Sequence, residues 1–413
     1  MNALKERGPL AAMRALALPL VPALALALAL AGCIQLPSAT TGPEAGVGAA
    51  AGLLLPLPAK VTGLEPASNV EFGAGNDLAF FGSFVYVSTH NNGMRIVDVS
   101  DPLAPVEVAV VECNGKDIDA REIAGRVIVT ISSQSDDKCP EAAPKGGIRL
   151  VDVTDPRAPV VLKQVPLKYG SHTHTPYGST GLIYNSAYNL ASNPLASPKD
   201  HSRSEIVNIS DPWNPKVDGE FLFPATSSSI GCHDILAEPE RHRAICGAIS
   251  ETMIWDTTDP WNPKVVSTIV NPLLNIHHSA ATTRNGTLLA LGDEYAGVLA
   301  PACHPVGAAP TGAIWFYDLT DPTNPKELGF VPPPAGEPNT VCTAHNFNWI
   351  DDNLLVAGFY SAGTLLIDVT DPTSAKVLSQ QKQSPTSSWA SYYYRGAVFS
   401  GDGVRGLDVY RLV

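Results

Sequence analysis

The chain has 413 residues and a formal net charge of −13, with 40 acidic against 27 basic side chains. That acidic balance argues against nucleic acid as a partner. No run of like charges marks a surface for electrostatic docking.

At the N-terminus, Lys5, Arg7 and Arg14 precede the apolar run ALALPLVPALALALALAGC, which holds two prolines and no charge. A basic start, an apolar stretch and small residues at its end describe a secretory signal. The run is close to spanning length, so an uncleaved transmembrane anchor is the alternative. Leu30-Ala31-Gly32-Cys33 decides against it, because it matches the bacterial lipobox, whose cysteine becomes the lipidated first residue of the mature chain. Ile34 is not the aspartate that often signals inner-membrane retention. Residues 34–58 are rich in Ala, Gly, Pro and Thr and carry one charge, Glu44. Such a segment cannot bury a core and reads as a tether. The expected organisation is a signal peptide at 1–32, a flexible tether at 33–58 and a folded domain at 59–413. The membrane is then a partner through Cys33, and the protein is exported and lipid-anchored to the bacterial cell envelope.

From there one phrase recurs: RIVDVSDPLAP (95–105), RLVDVTDPRAP (149–159), EIVNISDPWNP (205–215), MIWDTTDPWNP (253–263), WFYDLTDPTNP (315–325) and LLIDVTDPTSA (365–375). A truncated seventh copy, VRGLDVYRL (404–412), closes the chain. The aspartates before proline are Asp101, Asp155, Asp211, Asp259, Asp321 and Asp371, spaced by 54, 56, 48, 62 and 50 residues. Repeats of this period built from short β-prone segments indicate a propeller or solenoid. In each copy an apolar triplet ends in Asp, whose side chain bonds the backbone in an Asx-turn, and proline then ends the strand. A further strand follows (PKVVSTIV, PVEVAVVE), and a hairpin precedes, such as NDLAFFGSFVYVSTH (76–90) with Gly82-Ser83 at its turn. Four strands per unit make propeller blades. Six full phrases and the truncated one predict an all-β, seven-bladed β-propeller. Its last blade would be completed by an N-terminal strand, with residues 59–64 pairing with 404–411.

The RIVDVSDP phrase resembles the LVIVD repeat family of bacterial exported β-propeller proteins, from about residue 59 to the C-terminus. GCHDI, DEYAG, GAIWFYDLTDP and CTAHNFN resemble segments of such proteins too. The resemblance implies a propeller and names no catalytic residue.

Val85, Ile183, Ile245, Leu288, Leu354 and Val398 mark the second strand of their repeats. Nine to twelve residues earlier, on the innermost strand, stand Asn76, His174, His233, His278, His345 and Trp389, with Asp119 or Asp117 in the second repeat. Innermost strands line a propeller's channel, so four consecutive histidines would converge there. Neutral imidazoles suit a transition metal such as Zn or Cu. Asp234, Asp117 and Asp119 could add carboxylates; His172 and His277 lie nearby, and His90-Asn91-Asn92 and Asp293-Glu294-Tyr295 would form a second layer. The alternative is structural: a histidine in each inner strand bonds a neighbouring backbone. The repeat also carries no local ligand signature such as H-E-x-x-H.

Lipidation of Cys33 leaves six cysteines, which in an oxidising compartment favour disulfides. Cys232 and Cys246 flank the turn EPERH at equal distance from Pro239, so a cross-strand bond is expected. Cys113 and Cys139 bracket the second inner hairpin, and Cys303 with Cys342 would pin an insertion beside His345. Trp213 and Trp261, in identical DPWNP turns, read as packing between blades. No nucleophile elbow or phosphate loop is present.

The expected function is a lipid-anchored cell-surface scaffold that binds a small molecule or protein at a His-rich channel mouth. The alternative is a metal-dependent enzyme, an oxidase or hydrolase, with Asp293 or Glu294 as general base or as a group orienting the ligands. Propellers of the methanethiol oxidase type offer an architectural analogy for that alternative.

Overall fold

The structure, a computed structural model, describes residues 53–134, 146–187, 202–295, 310–334 and 340–413. The expected signal peptide, Cys33 and residues 34–52 of the tether lie outside these residues, as do Cys139 and Cys303.

After β1 (Leu64–Val70) the strands follow in fours. The first four are β2 (Leu78–Phe81), β3 (Phe84–Val87), β4 (Met94–Asp98) and β5 (Val106–Val111). The second are β6 (Ile118–Ile123), β7 (Arg126–Ser133), β8 (Gly147–Asp152) and β9 (Val160–Pro166). The third are β10 (Thr173–Pro176), β11 (Leu182–Ser186), β12 (Arg203–Asn208) and β13 (Lys216–Leu222). The fourth are β14 (Asp234–Glu238), β15 (Arg243–Gly247), β16 (Thr252–Asp256) and β17 (Lys264–Ile269), with a 3-10 turn at Pro239–Arg241. The fifth are β18 (His277–Thr282), β19 (Leu288–Asp293), β20 (Ile314–Asp318) and β21 (Lys326–Val331). The sixth are β22 (Asn346–Trp349), β23 (Leu354–Gly358), β24 (Thr364–Asp368) and β25 (Lys376–Gln381). β26 (Ser388–Tyr394), β27 (Ala397–Asp402) and β28 (Gly406–Leu412) end the chain.

The first five groups are antiparallel four-stranded sheets in sequence order. The sixth joins β26–β28 and β1 in an eight-stranded sheet, through a short parallel contact of Asn346 with Ala390 and Phe347 with Ser391. Each sheet's first strand neighbours that of the next: β2 and β6, β6 and β10, β10 and β14, β14 and β18, β18 and β22, β22 and β26, then β26 and β2. The fold is all-β and propeller-like.

The repeated phrase supplies the third strand of each unit, and both of its faces are buried. Ile96 packs with Ile118, Val129 and Ile131 of the second sheet, while the adjacent Val97 packs with Leu407 and Val409 of β28. A strand covered on both sides reads as a continuous apolar run, not an alternation. Burying each such side chain contributes about 1.5–3 kcal/mol. The fourth strands are the reverse; β5 exposes Val106 and Val110.

The turn chemistry is as expected and repeats six times. Asp98 Oδ1 accepts from Ser100 N at 2.9 Å and Asp101 Oδ1 from Leu103 N at 3.1 Å. The same pairs recur from Asp152 and Asp155 through to Asp368 and Asp371. Trp213 and Trp261, expected as packing between blades, are 44% and 41% exposed, and the Arg126 guanidinium of β7 lies over the Trp213 ring, 5.8 Å from its centroid.

The N-terminal strand pairs with β28, but further along the chain than expected. Leu64 lies opposite Leu412 and Val70 opposite Leu407, whereas residues 59–63 are outside the strand. Leu64 sets the register, since its side chain packs with Ile350, Tyr410 and Leu412.

Candidate metal centre

The inner strands bring their first residues together at one end. His172, His233 and His345 each donate their backbone N–H to the end of their second strand, at Ser186, Gly247 and Gly358. His278 and Trp389 arrive differently. β18 takes one extra residue between His277 and Ala280, and β26 takes one between Ser388 and Ala390. Such bulges re-aim a side chain beside a site. Close approach of the neighbouring strand needs glycine: a Cβ on Gly247 would lie 2.0 Å from the His278 carbonyl oxygen.

The result is a row of rings. Centroids of His172 and His233 lie 4.4 Å apart, His233 and His278 3.9 Å, His278 and His345 4.4 Å, and His345 and Trp389 4.3 Å. Glu294, just after β19, places its carboxylate against three of them. Its Oε2 is 3.3 Å from His278 Nε2 and 3.5 Å from His233 Nε2, and its Oε1 is 3.6 Å from His345 Nε2. Four donors around a metal at about 2.1 Å, in a tetrahedron, are separated by about 3.4 Å. The donor atoms that all lie within 4.8 Å of one another form two groups among the described residues, His278 with Glu294 and His345, and His233 with Asp234 and His278.

The hydrogen bonds orient these groups. Gln134 Nε2 lies 3.2 Å from His172 Nδ1, and an amide N–H can only donate, so His172 carries its proton on Nε2. That proton faces His233 Nε2 at 3.0 Å, which makes His233 Nε2 the acceptor and leaves its Nδ1–H to Asp234 Oδ1 at 3.4 Å. Asp234 Oδ2 is also 3.6 Å from His278 Nδ1. A carboxylate behind the Nδ1 edge, with the Nε2 lone pair turned forward, is how metal-ligating histidines are held. Tyr360 donates its hydroxyl to Glu294 Oε1. Its backbone sits at φ 45°, a conformation that a bulky residue keeps only under constraint. Glu294 Oε2 and both ring nitrogens of His278 have no hydrogen-bond partner among the described residues. Leaving a buried polar atom unpaired costs about 1–3 kcal/mol.

Burial dominates the electrostatics. It lowers His233 to about 3, with the Lys116 charge adding to it, and drives His172, His278 and His345 well below the ordinary histidine value. The imidazoles are neutral, with lone pairs available. Burial raises Glu294 to about 8 against the opposing Tyr360 hydrogen bond, and pushes Asp234 well up. A narrow cleft borders the cluster and is lined also by Asp77, Lys116 and Asp117.

The structure brings His233, His278, His345 and Trp389 together. His174 lies elsewhere: its Nε2 is 2.6 Å from Thr130 Oγ1 and its Nδ1 2.9 Å from Asp117 Oδ2. His172 holds the blade position of His233, because β10 sets His174 opposite Asn185. Asn76 is buried and donates to the Gly115 carbonyl, and Asp119 pairs with Arg121 at 3.3 Å. Asp293 is spent on the backbone, accepting from Ile276 N, Tyr295 N and Gly312 N, so of the two candidate acids Glu294 alone faces the cluster. His277 bonds Thr252 Oγ1 at 2.8 Å, away from the other imidazoles. Tyr360 and Lys116 escaped the sequence reading. Alignment on the glycine at or near the end of β15, β19 and β23 would have revealed Tyr360: it stands two residues after Gly358, as Glu294 does after Gly292.

Cys232 and Cys246 form a disulfide with Cα atoms 5.5 Å apart. Their register is not the expected one, since Ile235 faces Cys246. The 3-10 turn sets Glu238 against Arg243, which moves the hairpin centre beyond Pro239 and leaves Cys232 ahead of the strand. Cys113 and Cys342 are disulfide-bonded too, and their expected partners lie outside the described residues.

The LVIVD repeat family model matches residues 73–112, the stretch that holds β2–β5. The chain carries an LVIVD repeat. That repeat is the first four-stranded sheet, including the Asp98 and Asp101 turns. No curated protein matches the chain.

Proposed function

We propose that this protein is a closed seven-bladed β-propeller that holds a transition-metal ion on His278, His345 and Glu294, with His233 beside them. The observation that carries the metal is the donor set itself. The donor atoms of His278, His345 and Glu294 all lie within 4.8 Å of one another, with Tyr360 bonded to Glu294 and Asp234 at the Nδ1 edge of His278. Nitrogen and oxygen donors of this kind suit Zn or Cu. Seven apolar clusters, each spanning two neighbouring groups of strands, support the blade count. The β1–β28 pairing supports closure, which removes the open sheet edges.

The signal and lipobox support export and anchoring through Cys33. Anchored at the envelope, the propeller is a rigid scaffold whose channel mouth engages a ligand. The cleft beside the donors favours a second, catalytic reading, since a purely structural metal is enclosed by its ligands. The test is the metal content of the purified protein. One equivalent that is lost in both His278→Ala and Glu294→Gln supports the centre. Metal-free wild-type protein that takes up neither Zn nor Cu on dialysis overturns it.

A further inference from the structure

The turns between first and second strands, and the Asp-Pro turns after the third, lie at the strand ends opposite the histidine cluster. We propose that the face built by these turns rests on a lipid bilayer, with Trp213 and Trp261 seated at headgroup level. This rests on the reading above that Cys33 carries a lipid.

Contacts between neighbouring sheets join these turns into one surface. Arg157, in the second Asp-Pro turn, donates to Asp98 beside the first at 2.8 Å. Arg126, after the next hairpin turn, covers the Trp213 ring, and the Tyr184 hydroxyl donates to the Pro260 carbonyl at 2.7 Å. Arg241 donates to the Arg284 carbonyl, and Arg284 N donates to Asp352 Oδ1 at 3.0 Å. The Tyr394 hydroxyl reaches the Gly82 carbonyl at 2.7 Å, back at the first sheet.

The chain enters the folded domain on this surface. Leu53 N–H donates to the Ser100 carbonyl at 2.8 Å and Leu55 N–H to the Arg395 carbonyl at 3.1 Å. Arg395 in turn donates to the Leu53 carbonyl at 2.9 Å. Leu55 packs beside Phe80 and Tyr394, while Leu53 and Leu54 are exposed. Only the 19 residues 34–52 separate this point from Cys33. An unstructured chain of that length spans about 25 Å on average. A lipid on Cys33 therefore brings this face to the bilayer as an intramolecular contact, which a weak surface can exploit.

The side chains of the surface suit such a contact. Trp213 and Trp261 hold the same position in consecutive Asp-Pro turns, and both are exposed. Tryptophan favours the membrane–water interface, because its ring is apolar and its N–H polar. Leu53 and Leu54 add apolar groups at the entry point. The charges of the face are matched within it: Arg126 with Asp152, Arg157 with Asp98, Lys216 with Asp218 and Lys376 with Asp368. Asp211 and Asp259 accept from their own turns. Charges paired in this way suit a zwitterionic lipid surface. Seated so, the protein turns the cleft at His278 and Glu294 away from the membrane, toward the aqueous phase.

The experiment reconstitutes the full-length protein in phosphatidylcholine vesicles and reads its tryptophan emission with and without brominated phosphatidylcholine. Of the six tryptophans, Trp255 and Trp315 are buried in their sheets, and Trp389 lies at the other end beside His345. Brominated lipid should quench the wild type, leave the double variant Trp213→Phe/Trp261→Phe unquenched, and quench Trp389→Phe as it does the wild type. Vesicle-bound protein that is not quenched, or whose quenching survives in the double variant, overturns the inference and leaves the lipid anchor standing. Quenching lost in Trp389→Phe instead would seat the opposite face on the lipid and overturn it as well. Wild-type protein that carries no lipid on Cys33 and does not float with the vesicles overturns both.

Discussion

The Asp-Pro turns recur six times and the inner strands seven, yet they end in opposite states. At the turns every copy does the same thing. Asp321 Oδ1 accepts from Thr323 N at 2.9 Å, as Asp101 does from Leu103, and Asn324 N returns to the Asp321 carbonyl at 3.0 Å. At the inner strands each copy differs: His172, His233, His278, His345 and Trp389 meet in one row, and several of their buried polar atoms lack a partner. Repetition with every group satisfied builds a scaffold. Repetition with polar atoms left unpaired among the described residues, as at His278 and His345, costs stability.

The sharpest way to break that comparison is to remove donors from the cluster. His278→Ala is expected to weaken metal binding at least about a hundredfold in a chelator competition, more than loss of an orienting group does. The metal-free variant should be no less stable to urea than the metal-free parent, because two unpaired buried nitrogens leave with the imidazole. Loss of stability in the apo-protein would show the histidine to be structural. Next comes Tyr360→Phe, which frees Glu294 to rotate. Metal affinity should fall about tenfold with the fold unchanged by circular dichroism. An unaltered affinity would mean that Tyr360 does not orient the carboxylate.

At the turns the consequences run the other way. Asp321→Ala should lower the urea midpoint and leave metal content untouched, whereas Asp321→Asn should keep most of the stability. The smallest effect is that of pH. Hydrogen bonds from their own turns hold Asp256, Asp318, Asp321, Asp368 and Asp371 below the usual carboxylate range. A lowered carboxylate adds stability that is complete above its unfolded pKa of about 3.9 and is lost as pH falls through the lower folded value. The urea midpoint should therefore hold flat near neutrality and decline below about pH 4, less steeply in Asp321→Ala. A slope as steep as the parent's would show that this turn contributes nothing to the acid limb.

Much of the scaffold was legible in the residues themselves. An apolar triplet before Asp-x-x-Asp-Pro specifies a buried strand and its terminating turn within about ten residues, and local chemistry of that kind needs no knowledge of the rest of the chain. The four-strand unit, its repetition and three of the four clustered histidines followed from the same spacing. What escaped were details of one or two residues. His174 was preferred to His172 because a single-residue step in a strand reverses the face, and the starting point of β10 is not written in its own four residues. His278 and Trp389 depend on bulges whose cost is met by the neighbouring strand.

The sequence by itself determined the class of fold, the repeat and its turns, because each rests on contacts between residues close along the chain. Only the tertiary structure decided which side chains share the channel. His233 and Glu294 are 61 positions apart and Tyr360 another 66 from Glu294, and nothing local relates them. Packing of one sheet on the next brings His233, His278 and His345 against Glu294, with the Tyr360 hydroxyl bonded to that carboxylate.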